Sequence, residues 1–475
     1  MKIFPRSVPL RATLSAGAAP FVCRSCRRSS HRKLSSASAR RREADSGPPA
    51  PPPTGYARLT SRRLISIAGP DAPKFLQGLI TQSIIPGGSR THRGQGRDGA
   101  SGATPAATTA ASGFYCAFLN AMGRVLYDVF VYRDILGLGT AAGSDGEAFV
   151  VEVDAAQADA LAKHIKRYKL RSKFSCRVID EEECAAWQVW EDSPSPSFSS
   201  SPHPQQILDP PRLAQLQGCI VLPDARAPGM GYRVLARAPS LEPLLLPALG
   251  GQPPAGGLAR ADDDAYRLRR YLRGVAEGQN EIPREHALPL EANMDVSGGI
   301  DFRKGCYVGQ ELTIRTRHRG VVRKRILPCL LYAPASSPSA TTATTAAPPQ
   351  NLEYRPYIEG RAGAGHDEGE GTRLTAADVP PLLSIGRSGA TRNRSAGTWL
   401  RGVGNVGLAL CRLQVMTDVE LPGETTTGAP FDPVADEFFV LWGGEGEGKQ
   451  QSVKIRAFVP DWLRGRLRED GAGAH

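Results

Sequence analysis

Residues 301–320 read DFRKGCYVGQELTIRTRHRG, and inside them KGCYVGQE sets Cys306 directly after Lys304 and Gly305 and three residues before Gly309. Glycines on both sides permit backbone angles and close approaches that a Cβ forbids. Gln310, Glu311 and Leu312 can carry a first helical turn. A thiol just ahead of a helix start, beside Lys304 and close to Arg303, feels positive potential that favours its thiolate, against an ordinary thiol pKa of about 8.5. A thiolate can attack an electrophile, bind a metal or exchange disulfides. As a nucleophile it wants a base, for which His318 is a candidate twelve residues on. As a metal ligand it is too few for a cluster, so the remaining ligands would have to come from a partner chain. The same residues equally suit a buried cysteine in a glycine-permitted turn. Residue types alone leave both readings open.

The rest of the sequence offers little competing chemistry. Beyond the first residues there is no HExxH, no paired CxxC and no GxSxG, and His164, His286 and His318 lack ligand spacing. GVGNVG (402–407) matches GxGxxG, but the strand-like LALCRLQV follows where a dinucleotide fingerprint needs a helix, so a hairpin turn is expected. Cys23 and Cys26 form the one CxxC, and a zinc site needs four ligands. Seven later cysteines (116, 176, 184, 219, 306, 329, 411) are odd in number and unpaired in spacing, as expected of free thiols in a reducing compartment.

A chain of 475 residues has room for roughly two or three domains. Of its 59 Lys and Arg, eleven lie in residues 1–42, which hold no acid; the other 48 stand against 47 Asp and Glu. The body is thus near neutral, and a global nucleic-acid footprint disappears. The basic, Ser- and Ala-rich start has the composition of a mitochondrial transit peptide, which points to the matrix. No stretch reaches the ~18–20 apolar residues of a membrane span.

Four stretches, 86–112, 191–206, 333–350 and 360–373, lack the apolar side chains to offset the entropy of ordering and read as surface inserts. Between them, RRLISIAGPDAPKFLQGLI gives a strand and a helix. FYCAFLNAMGRVLYDVFVYRD gives a hairpin turning at Asn120–Gly123, and 156–173 and 261–278 give helices. After about residue 319 only short strand-like pieces follow: RKRILPCLLY, NVGLALCRLQV, EFFVLWG and SVKIRAFVP. The fold class expected is α+β, with a body over 56–318 and an all-β barrel over 319–465.

KGCYVGQE resembles the signature of the YgfZ branch of the GcvT-like, folate-binding family. Other matches fall in order: FLNAMGRVLYDV (118–129), RYLRGVAEG (270–278), LPLEANMD (288–295), GIDFRKGCYVGQELTIRTRHRGVVRKRI (299–326) and GLALCRL (407–413). The resemblance implies a multi-lobed GcvT-like body with a C-terminal barrel. With a transit peptide in front, it implies a mitochondrial role in iron–sulfur cluster assembly with A-type carrier proteins, for client 4Fe–4S apoproteins. Cys306 would then be a ligand of a transient cluster shared with a partner, supported by Lys304, Gly305, Tyr307, Gly309, Gln310 and Glu311. In transferase relatives an acid after an Asn-x-x-Gly hairpin faces folate, which maps onto Asp128 following Asn120 and Gly123. The alternative implied is therefore a tetrahydrofolate-dependent one-carbon transferase with Asp128 at a pterin-sized cavity. The cluster-assembly reading needs no turnover.

Overall fold

The computed structural model describes residues 48–84, 112–139, 147–192, 216, 218–237, 239–248, 258–333, 348–358, 373–389, 395–421, 431–443 and 450–472. Residues 1–42, read as a transit peptide, and, apart from their edges, the four stretches read as inserts lie outside these residues.

Chain order sets strands first. β1 (Thr54–Arg58) and β2 (Arg62–Ala68) precede the short helix α1 (Ala72–Gln77). β3 (Gly113–Leu119) and β4 (Val125–Arg133) form the hairpin expected at Asn120–Gly123. β5 (Ala148–Asp154) leads into α2 (Ala158–Lys169), whose Ala158, Leu161, Ala162 and Ile165 make one buried stripe at helical spacing. Then come β6 (Ser175–Val178), β7 (Ala185–Glu191), β8 (Cys219–Pro223), β9 (Tyr232–Ala236), α3 (Glu242–Ala248) and β10 (Ala259–Ala261). Helix α4 (Asp263–Leu272) is capped by Asp262, which accepts from Ala265 N, and carries acids in its first turn and Arg269 and Arg270 in its last. It is shorter than the 261–278 expected; the chain leaves it through Gly274 at φ +71°. Helix α5 (Gln310–Arg319) starts where the signature predicts.

Two five-stranded sheets make the body. One runs β10-β1-β7-β9-β8, with β1 and β10 parallel, and the other runs β3-β4-β5-β2-β6. The outer face of the first packs Tyr56, Trp187 and Val234 on Leu241 and Leu245 beside α3. The outer face of the second packs Val129, Val131 and Val151 on α1 and α2. The inner faces share one core with Phe130, Tyr132, Trp190, Leu235, Tyr266 and Tyr271.

β11 (Lys324–Tyr332) opens a closed barrel with β12 (Ser384–Arg387), β13 (Gly397–Val403), β14 (Val406–Arg412), β15 (Phe438–Trp442) and β16 (Gln451–Ala457). The order β11-β14-β13-β12-β15-β16 closes by pairing β16 with β11. Its interior holds Leu327, Cys329, Trp399, Ala409, Cys411, Val440 and Ile455. The one-turn α6 (Leu413–Met416) follows β14, and α7 (Asp461–Ala472) ends the described chain. GVGNVG is the β13–β14 turn, with Gly404 at φ +59°.

Between the two sheets lies a fully buried ion network. Glu277 accepts from Arg226 at 2.7 Å, from Arg233 at 2.6 Å and from the Tyr266 hydroxyl at 2.7 Å. Arg226 also pairs with Asp224 at 2.7 Å, and Arg233 lies 3.2 Å from Glu152 across the sheet interface. Arg62 reaches both Glu152 at 2.9 Å and Asp128 at 3.5 Å. Burial would raise the Glu277 carboxyl, but Arg233, Arg226, Arg62 and Arg270 outweigh it and hold it well below its ordinary 4.5. Burial likewise disfavours the Arg62 cation, and Glu277, Asp128 and Glu152 outweigh that too.

Breaking a buried pair by removing one partner costs about 3–5 kcal/mol, because the other charge stays buried. Glu277→Gln should lose stability of that order, seen as a lower urea midpoint. A carboxyl depressed in the folded state contributes stability above its unfolded pKa of about 4.3 and loses it as pH falls through the lower folded value. The native protein should therefore lose stability steadily below about pH 4, and Glu277→Gln should show a shallower acid slope in the same titration.

Candidate functional site

The signature loop is fastened to two other parts of the fold. On one side it meets the turn after α1. Asp301 N donates to Thr81 O at 3.0 Å, Val308 N to Gly78 O at 3.0 Å, and Thr81 Oγ1 to Gly299 O at 2.6 Å. Lys304 is the central fastening: its Nζ donates to the carbonyls of Gln77, Ile80 and Gln82 at 2.8, 2.7 and 3.0 Å. These are carbonyls just past a helix end, which have no intrahelical partner of their own. Burial pulls the Lys304 pKa down to about 8, opposed by Cys116 and Asp301. Lys304 is not the exposed cation that a lysine in a loop usually is. The ammonium is half-buried and turned into the fold, where its charge acts on Cys116.

On the other side Gly309 packs against the β3–β4 hairpin turn. Its φ is +79°, and a Cβ there would lie 2.2 Å from Asn120 O. A Cβ on Gly123 would in turn lie 2.9 Å from Gly309 O and 3.0 Å from Leu312 Cβ. Asn120 holds that turn: its Oδ1 accepts from Met122 N at 3.0 Å and from Arg124 N at 2.9 Å. The two motifs singled out by sequence thus touch. Gly305 differs from Gly309. It has no positive φ, and nothing lies within 4 Å of a built Cβ.

The remaining signature residues take distinct places. Tyr307 is buried beneath the loop with Lys304 Nζ 4.9 Å from its ring centre, and burial pushes its hydroxyl up to about 12. Gln310 Oε1 reaches back to accept from Tyr307 N at 3.2 Å. Glu311 is exposed in the first turn of α5, where a negative charge suits the helix dipole. Cys306 is exposed. Of the other described cysteines, Cys116, Cys184, Cys219, Cys329 and Cys411 are buried and Cys176 is half-buried. His318 lies eight residues beyond Gln310 on α5, roughly 12 Å along the axis, and does not approach the thiol.

Asp128 is elsewhere. It sits mid-strand on β4, wholly buried, five residues past Gly123 and so roughly 16 Å from it. Its Oδ1 accepts from Gly278 N at 3.1 Å and Gln279 Nε2 at 3.0 Å, and its Oδ2 faces Arg62. With both oxygens engaged by the chain itself, Asp128 does not fit a pterin ligand as arranged, and no step through folate is derived. Asn120 serves the signature and Asp128 the ion network; the structure does not bring them together. A cavity of about 590 Å³ along α5, lined by Glu291, Leu312, Thr316, Arg319, Lys324 and Arg412, contains neither Asp128 nor Cys306. Sequence reasoning missed the receiving turn at Gln77–Gln82. Its one signal is the polar Thr81-Gln82-Ser83 after an apolar helix.

Among the described residues no group of three His, Cys, Asp or Glu side chains could hold a metal ion. A cluster on Cys306 therefore needs ligands from elsewhere.

Comparison with protein-family models gives no match. Among curated proteins, the chain is 45% identical over 460 residues to the "iron-sulfur cluster assembly factor IBA57 homolog, mitochondrial" of Chaetomium globosum, covering 94% of this chain and 93% of that one. It is 46% identical over 421 residues to the protein of that name in Pyricularia oryzae, covering 88% and 87%. Among solved structures it aligns with a glycine cleavage system aminomethyltransferase from Bartonella henselae at 11% identity and TM-score 0.46, covering 86% of each chain.

Gly309→Ala meets both the positive φ and the Asn120 carbonyl, so it should cost about 2 kcal/mol or more, whereas Gly305→Ala should be within about 0.5 kcal/mol of native. Chemical denaturation of the two variants checks the contrast. Lys304→Met strips three carbonyls of a charged donor and should cost about 2–3 kcal/mol, with faster amide exchange in 299–309.

Proposed function

Because the chain belongs to the family of mitochondrial iron–sulfur cluster assembly factors, we propose that Cys306 is a thiolate ligand to a cluster it shares, as cargo, with a partner protein. The observation that carries this reading is a thiol exposed on a loop that is otherwise held fast. A soft thiolate suits iron–sulfur clusters. Holding the backbone around it lowers the ordering cost of meeting a partner.

We infer that the partners are A-type carriers, that the clients are 4Fe–4S apoproteins, and that the work is done in the matrix after removal of a leader within 1–42. Met122, 72% exposed at the tip of the hairpin on which Gly309 rests, supplies an apolar contact on the same edge of the fold. The chain's part is to present one ligand and orient it; no bond of its own need turn over. The transferase alternative gains no observation here, since Asp128 is occupied by Arg62, Gly278 and Gln279.

Cys306→Ser removes a soft ligand from an exposed position and should leave the melting temperature within about 2 °C. Mixed with a cluster-loaded carrier, the native protein should change the thiolate-to-iron absorption and the Ser variant should not. In cells lacking the native protein, the variant should fail to restore mitochondrial 4Fe–4S enzymes. Full rescue by Cys306→Ser would remove the ligand role.

A further inference from the structure

The outer side of α2 and the turn after it carry six cations, Lys163, Lys166, Arg167, Lys169, Arg171 and Lys173, with no Asp or Glu between the first and the last. All are exposed except Lys169, which is half-buried with its Nζ 5.2 Å over the Phe174 ring. None makes an ion pair within 4 Å among the described residues. Elsewhere on the surface Arg63 pairs with Glu181, Arg177 with Glu183 and Arg464 with Asp418. The nearest acids in sequence, Asp159 and Asp180, stand outside both ends of the run.

In the middle of these charges is an apolar projection. Leu170 ends α2 at φ +44° and is 88% exposed. A positive φ suits glycine and strains a leucine, so this residue is both strained and unburied. Tyr168 beside it is 43% exposed, its ring tilted against His164 with centroids 4.7 Å apart.

We propose that this face docks on an anionic phospholipid bilayer, with Leu170 entering the acyl boundary, Tyr168 at headgroup level and the six cations against lipid phosphates. An apolar tip among Lys and Arg that make no ion pair, with one carboxylate at the rim where Asp71 Oδ2 accepts from Lys173 N at 2.6 Å, is the pattern of interfacial attachment. A nucleic-acid strand fits less well. It offers nothing for an apolar leucine at the centre, and Tyr168 already spends a ring face on His164 rather than presenting it for base stacking. Attachment is peripheral; no described helix is long and apolar enough to cross a membrane.

The basic first 42 residues would also attract anionic vesicles, so the test must report from residue 170. Leu170→Trp in the full chain should be quenched by phosphatidylglycerol-containing vesicles with brominated acyl chains, beyond the baseline of the native tryptophans. Brominated phosphatidylcholine alone should give no excess. Adding Lys166→Glu and Arg167→Glu should weaken that local partitioning at least about tenfold, at roughly 1 kcal/mol per cation near the surface. Inorganic phosphate at matched ionic strength should not compete. No excess quenching at 170, or equal quenching by both lipids, would overturn the proposal. So would a double reversal that leaves quenching intact but weakens binding of a single-stranded oligonucleotide, which would make the face a nucleic-acid contact instead.

Discussion

Glu277 is the charge on which the body turns. Two buried arginines, Arg226 and Arg233, and the hydroxyl of Tyr266 converge on its carboxylate. Without it Arg226 would keep Asp224 and Arg233 would keep Glu152, but two buried cations would converge on a point with no charge to balance them, which is costly. The arrangement also fixes position. Arg233 comes from one sheet, Glu152 and Arg62 from the other, and Tyr266 from α4, so a shift of any one leaves a charge unpaired. Apolar packing would hold the same layers together; the ion network says in which register they meet.

That register reaches the signature through β4. At its middle, Asp128 ties the strand to Arg62 and to the 278–279 backbone and side chain. At its start, the Asn120–Gly123 turn is the surface on which Gly309 lies. One strand thus carries both the fixed end and the platform. The loop holding Cys306 is then clamped from the opposite side by Lys304, whose three acceptors lie on the turn after α1. The loop is positioned by contacts that span more than 180 residues of sequence, while the thiol itself stays exposed.

The parts legible in the sequence were those set locally. The hairpin at Asn120–Gly123, the capped acid-first helix after Asp262, the start of α5 and the all-β tail follow from turn chemistry, caps and alternation. Cys306 stood out because its neighbours are unusual. What was misread depends on long-range geometry. Lys304 stands beside Cys306 in sequence, and only the carbonyls at 77–82 show that its ammonium turns into the fold. Gly305 and Gly309 looked equivalent as types, yet only Gly309 meets Asn120. Asp128 enters only as the folate-facing acid the resemblance implies, and its neighbours Arg62 and Gly278 are 66 and 150 residues away. β12 and β13 carry no readable signal, since SIGR is too short to show alternation and GTWLRGV is broken by glycines and a register shift between Trp399 and Arg401.

Among the described cysteines, Cys306 alone is exposed. Five are buried in cores or the barrel, where burial pushes the thiols of Cys116 and Cys184 up and makes them poor ligands and poor nucleophiles. Those serve as small apolar side chains. Cys306 contributes almost nothing to packing, and yet the fold spends Lys304, Tyr307, Gly309 and Gln310 on the few residues around it. A loop needed only as a turn could be held with fewer fixed contacts and would gain nothing from leaving a cysteine at its tip. A loop that must offer a single ligand to a cluster held mostly by another chain needs both properties at once. The backbone must be rigid, so that the sulfur meets the metal without a large ordering cost, and the thiol must be bare, so that the other ligands can approach.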